Sequence, residues 1–274
     1  MIAIFTTELS LIFKQKRTYY GLAAIFVIEV FIIVGAWYQG SDIISVLLEN
    51  LSKSFYLEGE LMNGNLVLYI VLNSLWFNLP LIIMLLVSGF ITNDIKDGIL
   101  QLIMLQSVSK YDYIIAKYLV SIVFTLFVLV FLFTSSAALA YAIFGAGDLI
   151  TYLGGLNFFG SDDALIRIIF AFLSGGLLLI FYSVVSITFA ILFRENTITW
   201  IICAFFLIAN NLLLKIDFGL DSAMFFPKLI DTWQYFFYYE IPWKKIYINN
   251  IFLMGYSFLC AMVGTFYFVR RDIG

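Results

Sequence analysis

The chain has 274 residues, of which 63% are hydrophobic and 12% charged, with a mean hydropathy of +1.03 and a formal charge of −3. A soluble domain carries about 25% charged residues, so this composition excludes one and predicts an integral membrane protein. The acidic balance argues against a nucleic-acid partner, and the lack of histidine excludes His-based acid–base catalysis and His-ligated metal.

Residues 1–17 place Ile2, Phe5, Leu9, Ile12 and Phe13 on one helical face, and Thr6, Ser10, Lys14 and Arg17 on the other. Such a pattern predicts a helix lying in the membrane interface. The apolar run that follows is too long for a signal peptide and has no small-residue cleavage site, so it is expected to stay as a span. Six runs reach the ~20 residues needed to cross hydrocarbon: 19–38, 66–91, 118–144, 165–193, 198–214 and 247–269. They are unbroken rather than alternating, which favours helices over a barrel. The expected architecture is an all-α integral membrane protein, with 1–274 forming a single transmembrane domain.

Within the spans, Glu29 stands near the middle of the first. A charge at that depth costs about 2.5–3.5 kcal/mol, so such a residue marks a substrate path or dimer seam by default. The alternative is a neutral carboxyl hydrogen-bonded to a neighbouring helix. Asn73, Asn78 and Asn210 divide in the same way, between interhelical hydrogen bonding and a path-lining or dimer-seam role. Pro80 is expected to kink the second span, with Asn78 near the freed carbonyls. Cys203 and Cys260 lie in apolar runs without zinc-like spacing and read as buried or lipid-facing thiols.

Two connections carry more information. In 92–117, Asp94 and Asp97 open a helix-prone stretch, as suits the positive end of a helix dipole. Ile99, Leu102, Ile103 and Gln106 then give a mostly apolar helical stripe, and Ser109 or Asp112 could cap the helix that follows. A short apolar-faced helix between two spans needs lipid or a partner's groove to cover it. The second connection, 215–246, is dense in aromatics from Phe218 to Trp243. It is expected to form one or two short re-entrant or interfacial helices, broken near Pro227 and Pro242.

Positive charge sets orientation. Nine of the 15 basic residues fall on the side of both termini: Lys14, Lys16, Arg17, Lys96, Lys110, Lys117, Arg194, Arg270 and Arg271. Four of the remaining six lie in the aromatic connection. Both termini and the 92–117 connection are therefore expected to be cytoplasmic, and 215–246 external.

The 92–117 connection resembles the cytoplasmic coupling region of type-2 ABC transporter permeases, the exporter-type membrane subunits. That family shows an acidic residue, three others, Gly-Thr-Leu, a short apolar helix, Pro-Val-Ser-Arg and a later lysine. This chain has Asp94, Gly98-Ile99-Leu100, Ser107-Val108-Ser109-Lys110 and Lys117 at the same spacing. It departs from the pattern at Asp94, Ile99, Ser107 and Lys110. The closing Arg270-Arg271-Asp272-Ile273 is similar too.

The resemblance implies a permease that dimerises with a second copy or homologue in the cell membrane. It would couple ATP hydrolysis by a separate cytosolic P-loop ATPase to export. Asp94, Gly98, Ile99, Leu100, Leu102, Ile103, Gln106, Ser109 and Lys110 would carry the coupling. ATP and Mg would be bound by the partner, with no cofactor on this chain, which has no G-x-x-x-x-G-K-[ST] sequence. The apolar, aromatic character favours a hydrophobic or amphipathic cargo. Competing readings are a proton-coupled secondary transporter leaning on Glu29, a non-transporting membrane assembly subunit, and a lipid-acting enzyme. For the enzyme, the adjacent acids Asp162 and Asp163 are poorly spaced.

Overall fold

Hydrocarbon offers no partner to a backbone amide, so a chain this apolar must satisfy its main chain internally. In a computed structural model it does so with helices α1 (Ile2–Lys14), α2 (Lys16–Ser52), α3 (Gly64–Lys96), α4 (Ile99–Met104) and α5 (Lys110–Phe144). These are followed by strands β1 (Leu149–Tyr152) and β2 (Leu156–Phe159), then α6 (Ser161–Phe193), α7 (Asn196–Leu214) and α8 (Trp243–Arg270). The structure describes residues 2–52, 62–106, 108–153, 155–216 and 225–271, with side chains from 2–40 and from 62 onward. Ser107, Phe218, Asp272 and Ile273, named above, lie outside the described residues.

Six helices are long and apolar enough to cross a membrane: α2 over Lys16–Gly40, α3, α5, α6, α7 and α8. The protein is a multi-pass membrane protein. The helices overrun the apolar runs at several ends because polar residues finish the terminal turns. Asn63 caps α3 by accepting from the Leu66 amide at 3.1 Å, and Ser109 caps α5 by accepting from the Asp112 amide at 3.0 Å. Between the two capping candidates, Ser109 is the residue used. α3 continues unbroken through Pro80.

α3 and α6 form the central pair, and α2, α5, α7 and α8 surround them. In lipid, helices gain little from apolar burial and associate through close packing and polar contacts. Trp76 of α3 lies where a side chain on Gly175 of α6 would stand. Ser186 of α6 donates to the Met84 carbonyl at 2.6 Å.

The all-α class holds apart from one short hairpin, in which β1 and β2 pair antiparallel between α5 and α6. Gly155, at φ +151, sits in their turn, where a side chain would be strained. Arg17 belongs to α2, not to the interfacial helix, because the chain turns at Gln15, where Thr18 Oγ1 donates to the Ile12 carbonyl at 2.6 Å. Asp94 lies in the last turn of α3 rather than opening a helix.

The described part of the aromatic connection forms two 3-10 turns, Phe226–Leu229 and Thr232–Phe237. Pro227 starts the first and Pro242 caps α8. The second turn lies on α6, with Trp233, Phe236 and Phe237 buried. Arg167 of α6 donates to the Phe236 and Tyr238 carbonyls, both at 2.9 Å. This cation ties down the turn's free acceptors.

Candidate functional site

α1, the α3–α5 connection, the α6–α7 turn and the end of α8 meet at one end of the bundle, here the termini end. Its centre is a buried ion cluster. Lys117 of α5 places Nζ 2.6 Å from Glu8 Oε2 and 2.6 Å from Asp94 Oδ2, with only 2% of its side chain exposed. Tyr113, one turn before it, donates to Asp94 Oδ2 at 2.6 Å, and its ring centroid lies 5.2 Å from Nζ. One lysine thus joins α1, α3 and α5. Asp94 sits at the negative end of the α3 dipole, an unfavourable place for an acid, and Lys117 offsets that.

Two carboxylates around one cation leave a net negative charge out of water. Burial pushes the Glu8 carboxyl above its ordinary value of 4.5; Lys117 pulls it down by less, and Asp94 adds to the rise. Sequence reading missed Glu8 and Tyr113. Glu8 carried a signal: it interrupts the apolar face of α1 at helical spacing from Phe5 and Ile12. Tyr113 carried none beyond its own spacing from Lys117.

Next to this cluster the chain makes a sharp corner. Gly98 has φ +70 and ψ 6, a left-handed conformation that favours glycine. Its amide donates to the Ile95 carbonyl at 3.3 Å, and its carbonyl accepts from the Leu102 amide at 3.3 Å, so it ends α3 and starts α4. α4 and the residues just after it divide by side. Leu100 is 3% exposed and faces the core, while Leu102 is 62% and Leu105 84% exposed. Ile99 is also exposed and Ile103 is partly buried against the core. Gln106 is exposed. The outward face is therefore Ile99, Leu102 and Leu105, with Leu100 and Ile103 anchoring it. Lys110 turns away from α4, its Nζ donating to the Arg271 carbonyl at 3.0 Å and to the Val269 carbonyl at 3.4 Å, which completes the end of α8.

The span residues do not join this group. Glu29 is fully buried between α2 and α5, its Oε2 accepting from Ser135 Oγ at 2.8 Å, while Oε1 has no partner among the described residues. Asn73 and Asn78 lie exposed on one face of α3, with Ser74 between them. Asn78 Nδ2 reaches the Ser74 carbonyl at 3.5 Å. Asn210 is buried in α7, with its side chain beside the Tyr182 hydroxyl. Among the described residues no three Cys, Asp or Glu side chains cluster in a way that could hold a metal ion.

No known sequence family matches the chain, and neither does any characterised protein.

Proposed function

We propose that the chain is the membrane-spanning permease subunit of an ABC exporter. It would work as a dimer and pass ATP-driven motion from a separate cytosolic P-loop ATPase to its spans, moving a hydrophobic or amphipathic substrate across the cell membrane. The observation that carries this reading is α4. A six-residue helix between two spans turns Ile99 and Leu102 outward, with Leu105 exposed just past its end, while Leu100 fastens it to the core. An isolated helix this short is unstable in water, so its position is imposed by the Gly98 corner and the packing beneath it. An apolar knob on a rigid mount suits a groove in a moving partner.

Two further features support the reading. The Glu8–Lys117–Asp94 cluster ties the base of α3 to α1 and α5, so a push on α4 would be shared by three helices. The face of α3 bearing Asn73, Ser74 and Asn78 lies roughly 14–21 Å along the helix from its start, at 1.5 Å per residue. Polar groups at that depth are poorly served by lipid and suit a second copy or a cargo path. Orientation follows the basic residues, with the termini end in the cytoplasm.

The test is extraction of the tagged protein in mild detergent with nucleotide present, followed by mass spectrometry of what comes with it. Stoichiometric recovery of a P-loop ATPase, lost on Leu102→Asp, is the expected result. Recovery of none would remove the partner on which the reading depends and would favour the proton-coupled alternative at Glu29.

A further inference from the structure

The first span begins with a cation that the described chain leaves without a counter-ion. Arg17, the second residue of α2, turns its guanidinium inward onto α3. Nη1 fills the notch left by Gly89, where any side chain would collide with it. The other wall is Trp200 of α7, whose ring centroid lies 5.5 Å from Arg17 Cζ and whose Nε1 donates to Ser88 Oγ at 3.2 Å. In this slot Nη2 is buried, with no hydrogen-bond partner among the described residues. Among the described residues no carboxylate pairs with Arg17, because Glu8 and Asp94 are both engaged by Lys117. The cation–π contact with Trp200 compensates only part of the desolvation of a guanidinium.

We infer that Arg17, walled by Trp200, binds the phosphate of a membrane phospholipid in the leaflet at the termini end. Arg17 stands in the first turn of its span, which is headgroup depth, and a guanidinium fork matches two phosphate oxygens. Lys14 and Lys16, both exposed, add positive charge at the same level. Tyr20, one turn on in α2, and Ile201, the residue after Trp200 in α7, are both exposed, and their apolar surface lies where acyl chain belongs. A lipid seated here would join α2 to α7 across α3. The inference does not depend on an ATPase partner.

Native mass spectrometry of the delipidated protein tests it, with phosphatidylglycerol, diacylglycerol of the same chains and inorganic phosphate as probes. The wild type is expected to hold one phosphatidylglycerol at least about tenfold more tightly than diacylglycerol, the scale of a charge-assisted bidentate contact. Arg17→Gln should lose that preference, and Arg17→Lys should keep part of it because it retains charge without the fork. Competition by millimolar inorganic phosphate would support the phosphate site while assigning it to free anion rather than lipid. Equal wild-type affinity for phosphatidylglycerol and diacylglycerol would overturn the inference, and that comparison needs no variant to fold. An unchanged preference in a folded Arg17→Gln protein would overturn it as well.

Discussion

Lys117 Nζ stands 2.6 Å from Glu8 Oε2, a contact spanning 109 residues of sequence and almost closed to water. It holds the interfacial helix onto the bundle, and Lys117 holds Asp94 at the same distance on its other side. Removing the cation is therefore far worse than removing either acid. Lys117→Met strands two buried acids and is expected to cost about 3–5 kcal/mol. Glu8→Gln leaves the Lys117–Asp94 pair intact and should cost about 1 kcal/mol or less. Denaturation of the two variants in one detergent measures the difference, and equal losses would contradict this assignment.

The same cluster has a pH signature. The folded-state carboxyl of Glu8 lies above its ordinary value of 4.5, with burial as the largest cause. Between that ordinary value and the raised one, the folded state binds more proton than the unfolded state, so stability falls as pH rises. The contribution is fully present below the unfolded value and lost above the folded one. Melting temperatures of wild type against Glu8→Gln across this window should show the wild type losing ground with rising pH. A parallel pair of curves would exclude it.

Gly98 carries the corner before α4. Gly98→Ala must hold φ near +70 and should cost about 1 kcal/mol. Gly98→Pro cannot adopt that angle, since its ring fixes φ near −65°. It also removes the amide that bonds to Ile95. On the proposed permease reading, the expected outcome is a protein that inserts normally yet no longer stimulates a partner ATPase; insertion and ATP turnover in proteoliposomes read the two effects separately.

The two sides of α4 should respond oppositely. Leu102→Asp touches only the exposed face and should change stability by less than about 0.5 kcal/mol while abolishing partner capture. Leu100→Ala opens the core beneath and should cost about 2–5 kcal/mol. Thermal denaturation together with the pull-down distinguishes them. A Leu102→Asp protein that still recovers the ATPase would argue against α4 as the docking element.

Glu29 accepts from Ser135 in the α2–α5 seam. Glu29→Gln keeps the shape and the acceptor and carries no charge to desolvate, so yield and melting temperature should stay level or rise. Glu29→Leu removes this acceptor but leaves the Ser135 hydroxyl the Phe131 carbonyl at 2.9 Å, so it should cost about 1 kcal/mol or less. Loss of transport in a normally folded Glu29→Gln protein would instead give the carboxyl a working role.

Spans were legible because an apolar run of sufficient length has one favourable fate in a bilayer, and six such runs became six helices. Helix ends were less so, because capping by Asn63 and Ser109 extends a helix past its apolar run. The hairpin was invisible: Leu149–Tyr152 and Leu156–Phe159 are four residues each, too short for their alternation to stand out beside long apolar runs. Within the connection before α5, the sequence pattern marked Ile99, Leu102 and Ile103 as one stripe. The structure turns Ile103 partly inward and adds Leu105, because a six-residue helix behind a left-handed corner has its rotation set by that corner.

What the sequence determined by itself is whatever depends on transfer between water and hydrocarbon: that this is a membrane protein, and the number of its candidate spans. Each is a sum over many residues and survives errors at any one. Tertiary structure alone decided what depends on single distances: that Lys117 serves Glu8 and Asp94 together, that Glu29 meets Ser135, and that Arg17 lies in the Gly89 notch under Trp200. A partner 109 residues away leaves no local pattern, because interactions between charges are set by separation and burial in space, and neither is written in the order of the chain.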